Sequence, residues 1–257
     1  MSVLTQFADA LADGSIEVID LTSKLSNDTP ILQLPPEFGQ TAKFELELIS
    51  DCDDAGPGWY WNNFRTGEHT GTHFDAPNHW FTGRDGEDVS QVPAGKLVRP
   101  AVVLDFSAEA DADPDFLLTV DHIKDWEANN GPLPEGGWMI YRTGLSKHTG
   151  AQDTALNANE TGPHTPGMTS ETARWLAEEA PIIGLGVETI GTDAGIGHSL
   201  EPMYPCHNLM HGNGKYCITQ LQNVDKLPTT GFMIITAPLP IVGGSGSPAR
   251  ILALVER

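Results

Sequence analysis

Residues 69–79 read HTGTHFDAPNH, and this stretch decides how the rest of the chain is interpreted because it holds three histidines and one aspartate within eleven residues. Its threonines, glycine and proline disfavour a helix. In an extended strand, His73 and Asp75 would project from the same face, because side chains alternate between the two faces. His69 can approach them only if the chain bends, and Gly71 permits such a bend. We therefore expect these three side chains to meet.

The same stretch supplies a set of metal ligands. Pro77 predicts a turn that returns His79 towards the other three side chains. Imidazole and carboxylate together suit zinc, manganese, iron or nickel better than calcium or magnesium. A purely structural zinc site is less favoured, since such sites usually use cysteine and no cysteine lies nearby. The remaining alternative is four unrelated polar residues in a loop, which the concentration of three of the nine histidines here disfavours.

Composition excludes several classes of partner. The 257 residues include 35 acidic and 14 basic ones, for a formal charge of −21. Such a field repels phosphate backbones, so nucleic acid is not an expected partner. No apolar run approaches the roughly 18 residues of a membrane span, so a soluble protein is expected. The three cysteines show no CxxC spacing, and we predict a reducing cytoplasm rather than a disulfide framework.

Strand-like segments dominate the chain, and no linker divides residues 1–257, so the sequence predicts one mixed α/β domain. The predicted strands cover 16–22, 43–49, 101–106, 138–143, 182–189, 232–239 and 250–256. Helical patterns cover 119–130 and 169–180, and residues 1–15 resemble a short amphipathic helix.

Other motifs are weaker. His207 and His211 flank the end of a possible strand that leads into YCITQLQNV, which makes them candidates for the same site. No GxSxG nucleophile elbow, Walker loop or GxGxxG turn before a helix occurs. The segment GGSGSP, residues 243–248, is expected to shape a turn or to line a pocket with backbone N–H groups.

The stretch HTGTHFDAPNH resembles the HxGTHxDxPxH signature of the metal-dependent cyclase-like hydrolases, a family that includes bacterial kynurenine formamidases and isatin hydrolases. Further segments agree with the family in the same order, over about residues 18–255: VIDLT, VVLDF, YRTGLSKH, GVETIGTD, NVDKLPTTGF and APLPIVGGSGSPARI.

The resemblance implies a swivelling β/β/α fold whose mixed sheet forms a barrel-like core. It also implies a homodimer or a larger homo-oligomer, in which a neighbour's residues close the site. Carried over by position, His69, His73 and Asp75 bind metal, and His79 acts as general acid/base or as a further ligand.

Two positions depart from the family pattern. The two-metal formamidases carry a later histidine, which His207 matches, and a bridging glutamate, whose place falls on Thr219 beside Gln220. A neutral side chain cannot balance two adjacent dications, so we expect one divalent ion, with Gln220 (or Thr219) as a weaker ligand. Mn2+ is the expected ion and Zn2+ the alternative. Glu188 and Gly191 stand where the family usually has aspartate and serine, a difference that could be limited to the shape of a loop.

The resemblance, with an aromatic-rich segment, points to a small aromatic amide as substrate. Four aromatic side chains could stack on a flat bicyclic ring or could instead lie in the core or an interface: Trp59, Trp61, Phe64 and Trp80. The implied reaction is hydrolysis of a cyclic amide, isatin to isatinate, by metal-activated water. His79 would be the general acid/base, and His207 would bind a substrate carbonyl or hold His79. The alternatives are an arylformamidase acting on N-formylkynurenine and a metal-dependent binding protein without turnover.

Overall fold

The computed structural model describes residues 1–257, and its strands close into a ring. The strands are β1 (Ile16–Asp20), β2 (Glu45–Asp51), β3 (Tyr60–Arg65), β4 (His73–Asp75), β5 (Val98–Asp105), β6 (Leu117–Leu118), β7 (Trp138–Arg142), β8 (Gly167–Met168), β9 (Gly184–Val187), β10 (Tyr216–Thr219), β11 (Phe232–Pro238) and β12 (Gly246–Glu256). The helices are α1 (Val3–Asp13), α2 (Ser107–Ala112), α3 (Val120–Asn130) and α4 (Ser170–Glu178).

The barrel contains seven strands in the order β12–β11–β5–β7–β9–β10–β4, and β4 returns to β12. The run β5–β7–β9–β10 is parallel, and the other pairings are antiparallel. β12 is long enough to pair with β4 at its start and with β1 at its end. The mixed sheet with a barrel-like core is therefore confirmed.

Two apolar cores lie on the two sides of the barrel wall. On β5, Ala101 and Val103 face the interior of the barrel, whereas Val102 and Leu104 face outwards. β7 alternates in the same way, with Trp138 and Ile140 inside. The outward residues pack under α3 and α4, whose apolar side chains complete the second core. Strands buried on both faces explain why these segments read as continuous apolar runs.

The helices begin where the sequence predicts. The Thr119 side chain accepts a hydrogen bond from the backbone N–H of His122 and so caps α3, and Thr169 caps α4 in the same way. The amphipathic helix at the amino terminus is also present as α1, although it buries none of its side chains. The longest helices have 11 residues, and none combines the length and hydropathy of a membrane span.

One aromatic segment forms an element that the sequence did not predict. Residues 60–65 form β3, which pairs antiparallel with β2 in a two-stranded hairpin separate from the barrel. Nearly all side chains of this hairpin are exposed. The predicted strand 43–49 is thus present with shifted ends, but it does not contribute to the main sheet.

Replacing Gly184 by alanine is expected to destabilise the barrel. Its new Cβ would lie 2.5 Å from the Trp138 ring, inside a packed core. Overpacking of this kind costs about 1–3 kcal/mol, measurable by denaturant unfolding. Gly95→Ala is the matched control, because nothing lies within 4 Å of its added Cβ. An equal loss of stability in both variants would contradict this account of the barrel interior.

Candidate metal centre

Strand β4 places two candidate ligands on the outer face of the barrel. Phe74 points into the barrel core, so alternation directs His73 and Asp75 to the other side. Both side chains are buried, and Nε2 of His73 lies 3.3 Å from Oδ1 of Asp75. Thr219 on β10 is the cross-strand neighbour of His73, and its hydroxyl lies 3.1 Å from the same Nε2.

The residues on either side of β4 turn back towards it. Gly71 has a φ of 64°, in the left-handed region that glycine tolerates, and the chain bends there as expected. Nδ1 of His69 consequently lies 2.7 Å from Oδ1 of Asp75. Beyond β4, a tight helical turn at Pro77–His79 brings the His79 ring to 3.8 Å from the His69 ring, centre to centre. The four side chains of residues 69–79 therefore meet.

A second segment completes the cluster from the opposite side. His207–His211 forms a widened helical turn with i→i+5 hydrogen bonds, a geometry often found at functional sites. The rings of His207 and His211 lie 5.6 and 5.7 Å from the ring of His79. The histidine cluster is defined here as His69, His73, Asp75, His79, His207 and His211. The sequence placed His211 only among the candidates, because it lies with His207 beside a possible strand.

Several of these rings have a hydrogen-bond partner outside the cluster that holds the ring in place. Nε2 of His69 lies 2.8 Å from the Ser245 hydroxyl, which donates to Glu68 at 2.6 Å. Nδ1 of His73 donates to the Gly71 carbonyl at 2.7 Å. Ser245 belongs to the GGSGSP segment, which forms a turn and supports the site through this hydroxyl and through the backbone N–H of Ser245, which donates to Glu68 at 3.1 Å. Such outer contacts select the tautomer and orientation of a metal-binding imidazole.

The donor atoms fit a divalent cation. Two overlapping groups bring one ligand atom per residue within 4.8 Å of one another, namely His69–Asp75–His79 and Asp75–His207–His211. Oδ2 of Asp75 and Nε2 of His211 are buried without any hydrogen-bond partner. Buried polar atoms rarely remain unpaired, and a cation among nitrogen and carboxylate donors would satisfy both.

Burial lowers the pKa of His73 and His211 to about 4 and that of His79 to about 2. At His207, burial is outweighed by the hydrogen bond to Asp193 and its charge, which raise the pKa. Burial opposes ionisation of Asp75, but the attraction of the neighbouring His73 imidazole and the hydrogen bond from His69 outweigh it and keep the pKa well below its ordinary value. Neutral imidazoles beside one carboxylate are the protonation states that bind metal. The pKa of His79 thus lies well below that of a free imidazole.

Two other expected site residues lie nearby. The Trp80 ring packs 5.0 Å from that of His207, which puts it at the rim of the cluster. Gln220 is buried in a left-handed conformation, and neither polar atom of its side chain has a hydrogen-bond partner. Its role as a ligand stays a prediction.

The remaining aromatic candidates lie on the β2–β3 hairpin. Trp59, Trp61 and Phe64 are each more than half exposed, and none forms an aromatic contact with the histidine cluster. Within one chain these side chains are therefore not gathered around the donors. Contact with a substrate stays a prediction that requires a second copy of the chain.

Comparison with known proteins identifies relatives over the whole chain. The Cyclase family matches residues 19–194. An isatin hydrolase of Roseibium aggregatum is 46% identical over 259 aligned positions, which cover 100% of this chain and 98% of the relative. A kynurenine formamidase of Salinibacter ruber is 28% identical over 194 positions, 73% of this chain and 76% of the relative.

Solved structures agree with this relationship. Isatin hydrolase A from Ralstonia solanacearum superposes with a TM-score of 0.96 at 51% identity, covering 100% of this chain and 98% of that one. An isatin hydrolase bound to the product analogue thioisatinate also has a TM-score of 0.96, at 45% identity and with complete coverage of both chains.

In the presence of a chelator, the free energy of unfolding is expected to fall as the pH drops from 6.5 towards 4. The unfolded chain takes up protons on His73 and His211 near their ordinary pKa of 6.5, whereas the folded chain does so only near 4. Stability from these groups is therefore complete above pH 6.5 and is lost below it, by on the order of a few kcal/mol. Denaturant unfolding at a series of pH values measures the slope.

A variant pair assigns the slope to the cluster. His211→Gln removes one buried imidazole and is expected to make the slope shallower, whereas His198→Gln replaces an exposed one and should leave it unchanged. A pH-independent stability of the metal-free protein over this range would refute the assignment.

Proposed function

The chain belongs to the Cyclase family, and from that premise we propose that it is a metal-dependent hydrolase that opens the lactam ring of isatin to isatinate. The observation that carries the substrate is the full-length relationship, at 46% identity, with a hydrolase named for isatin. The kynurenine formamidase relatives are more distant and align over about three quarters of the chain. The buried donors of the histidine cluster support the metal dependence.

We propose that one divalent cation is held by His69, His73 and Asp75, with Gln220 as a weaker ligand. When bound, the cation supplies a Lewis acid that polarises the amide carbonyl and makes water more acidic. Thr219 supports a single ion, because this neutral side chain occupies the position that the family resemblance gives to a bridging glutamate and lies beside His73. Mn2+ is the proposed ion, with Zn2+ as the alternative.

His79 is proposed to move the proton. A neutral imidazole at this position can accept a proton from the water that attacks the lactam carbonyl. As the C–N bond breaks, the same ring returns that proton to the departing nitrogen. The products are an aromatic amine and a carboxylic acid, which releases its proton to solvent and becomes a carboxylate. Stacking on His69 and edge contact with His211 keep the ring in place.

The substrate is proposed to lie between the donors and the rim of the cluster. His207 would bind one of its carbonyl oxygens or hold His79, and Trp80 beside it offers a flat face to an aromatic ring.

The three free cysteines agree with the cytoplasmic location that we propose.

The alternative activity is hydrolysis of N-formylkynurenine. Its support is the formamidase relatives together with the second group of donors, Asp75–His207–His211, in which Asp75 could be shared by two ions. The metal content therefore discriminates: one tightly bound ion per chain favours the lactam hydrolase, and two favour the formamidase.

We further propose that the protein is a homodimer or a larger homo-oligomer. A two-stranded hairpin is barely stable alone, yet the β2–β3 hairpin exposes apolar side chains on both faces, among them Leu46, Leu48, Trp61 and Phe64. A second copy would cover this surface. It would also place hairpin aromatics near the neighbouring histidine cluster, where they could contact the substrate.

Removal of the metal is expected to abolish the opening of isatin, followed by absorbance. His79→Ala should retain the metal and lower kcat by about 10²- to 10⁴-fold, the usual contribution of a general acid/base. His198→Ala is the control, since this side chain is exposed. Loss of the metal from His79→Ala would make His79 a ligand, and full activity after chelation would refute the proposed chemistry. A preference for N-formylkynurenine over isatin in the same assay would favour the alternative.

The double variant Leu46→Glu with Trp61→Glu is expected to shift the protein to a monomer in analytical ultracentrifugation and to raise KM. Both side chains are more than half exposed in one chain, and charge would prevent their burial against a second copy. Val242→Glu adds a charge at another exposed apolar position and should leave the assembly intact. A wild-type protein that sediments as a monomer would contradict the proposal.

A further inference from the structure

Asp193 holds His207 and the preceding Cys206 through three hydrogen bonds. Its Oδ2 lies 2.5 Å from Nδ1 of His207 and also accepts the backbone N–H of the same residue at 3.1 Å. Its Oδ1 accepts the backbone N–H of Cys206 at 2.7 Å. The carboxylate is almost fully buried, with a side-chain exposure of 5%. Both the ring and the backbone of His207 are thus tied to one acidic group.

This contact determines which nitrogen of His207 faces the cluster with a lone pair. An ionised carboxylate can only accept, so Nδ1 must carry the hydrogen. In its neutral form the ring therefore presents Nε2 as an unprotonated nitrogen. Since Nδ1 is bonded to Asp193, Nε2 is the nitrogen that we assign to the group formed with Asp75 and His211.

The surroundings leave His207 little freedom to turn. The Trp80 ring lies 5.0 Å from it, and the rings of His79 and His211 lie 5.6 and 5.8 Å away. The Thr192 hydroxyl, 3.2 Å from Nδ1, is a further polar group on the Asp193 side. An imidazole packed in this way on aromatic rings cannot easily exchange its two nitrogens by rotation.

We propose that Asp193 is a positioning residue that locks His207 in the Nδ1–H tautomer, so that Nε2 meets the reacting end of the substrate or the ion with its lone pair. The effect of Asp193 on turnover rests on the proposed function, whereas its effect on the tautomer of His207 does not. The competing explanation is that Asp193 only fastens the start of the His207–His211 turn through the two backbone N–H groups.

Asp193→Asn separates the two explanations. The amide has only one acceptor oxygen, so it cannot accept from Cys206 and from both N–H groups of His207 as the carboxylate does. When the oxygen stays on Cys206, the NH2 faces Nδ1 of His207, and the ring then moves its hydrogen to Nε2, which removes the lone pair from the cluster. We expect kcat to fall by about 10- to 100-fold, the usual effect of removing such an outer partner. KM and the unfolding midpoint should change little.

Nitrogen-15 NMR of labelled histidines reads the tautomer directly. The protein is loaded with Zn2+, because Mn2+ is paramagnetic, and the His207 signals are assigned by their loss in His207→Gln. Asp115→Asn is the matched control. It alters an equivalent pair, in which Nδ1 of His164 lies 2.7 Å from Asp115, and His164 has no contact with the histidine cluster. This control should change the His164 signals and leave kcat intact.

A wild-type His207 whose neutral ring carries its hydrogen on Nε2 overturns the proposal, and this measurement does not depend on how the variant folds. Two results for Asp193→Asn also overturn the proposal. One is a fall in kcat without a change of the His207 tautomer, which would make Asp193 merely structural. The other is an unchanged kcat. If the wild type shows the Nδ1–H tautomer but does not open isatin, the proposed substrate fails while the role of Asp193 in setting the tautomer stands.

Discussion

The buried carboxylate of Asp75 is the group on which the site depends. It is 1% exposed, accepts from His69, faces His73 and belongs to both groups of donors. Burying an anion is costly unless opposite charge and hydrogen bonds compensate it. The histidines of the cluster supply part of that compensation, and a divalent cation would supply the rest. The ligands of the site therefore cannot be considered apart from the metal that their arrangement accommodates.

The same short strand carries Asp75 and closes the barrel. β4 has only three residues, yet it pairs with β10 on one side and with β12 on the other. Gly246, opposite Asp75 on β12, permits the close approach, because a Cβ there would lie 2.3 Å from the Phe74 carbonyl oxygen. Barrel closure and metal binding thus depend on the same strand. This is a physical reason why the motif of residues 69–79 extends well beyond the three residues of β4.

Around this strand, the site is built in two tiers. The inner atoms face one another across the cluster, and a second set of residues holds the rings from outside, as Ser245 does for His69 and Asp193 for His207. The Lys215 carbonyl, 3.2 Å from Nδ1 of His211, has the same role. Ser245 lies 176 residues from the ring that it contacts, whereas Asp193 and Lys215 lie 14 and 4 residues from theirs, so both distant and local segments fix the geometry of the donors. Preorganisation of this kind lowers the reorganisation required during the reaction.

The local part of this architecture was determined by the sequence alone. Period-two alternation placed His73 and Asp75 on one face, and Gly71 allowed the bend before them. Pro77 predicted the turn to His79, and two threonines marked the starts of helices, Thr119 and Thr169. All of these features depend only on neighbouring residues, so they can be predicted from the sequence. Tertiary structure decided the rest. Ser245 lies 176 residues from His69, which it contacts. Residues 60–65 form one strand of the exposed β2–β3 hairpin and do not line the cluster within one chain. No spacing rule encodes such distant contacts, since they exist only once the closed barrel has brought separate loops together.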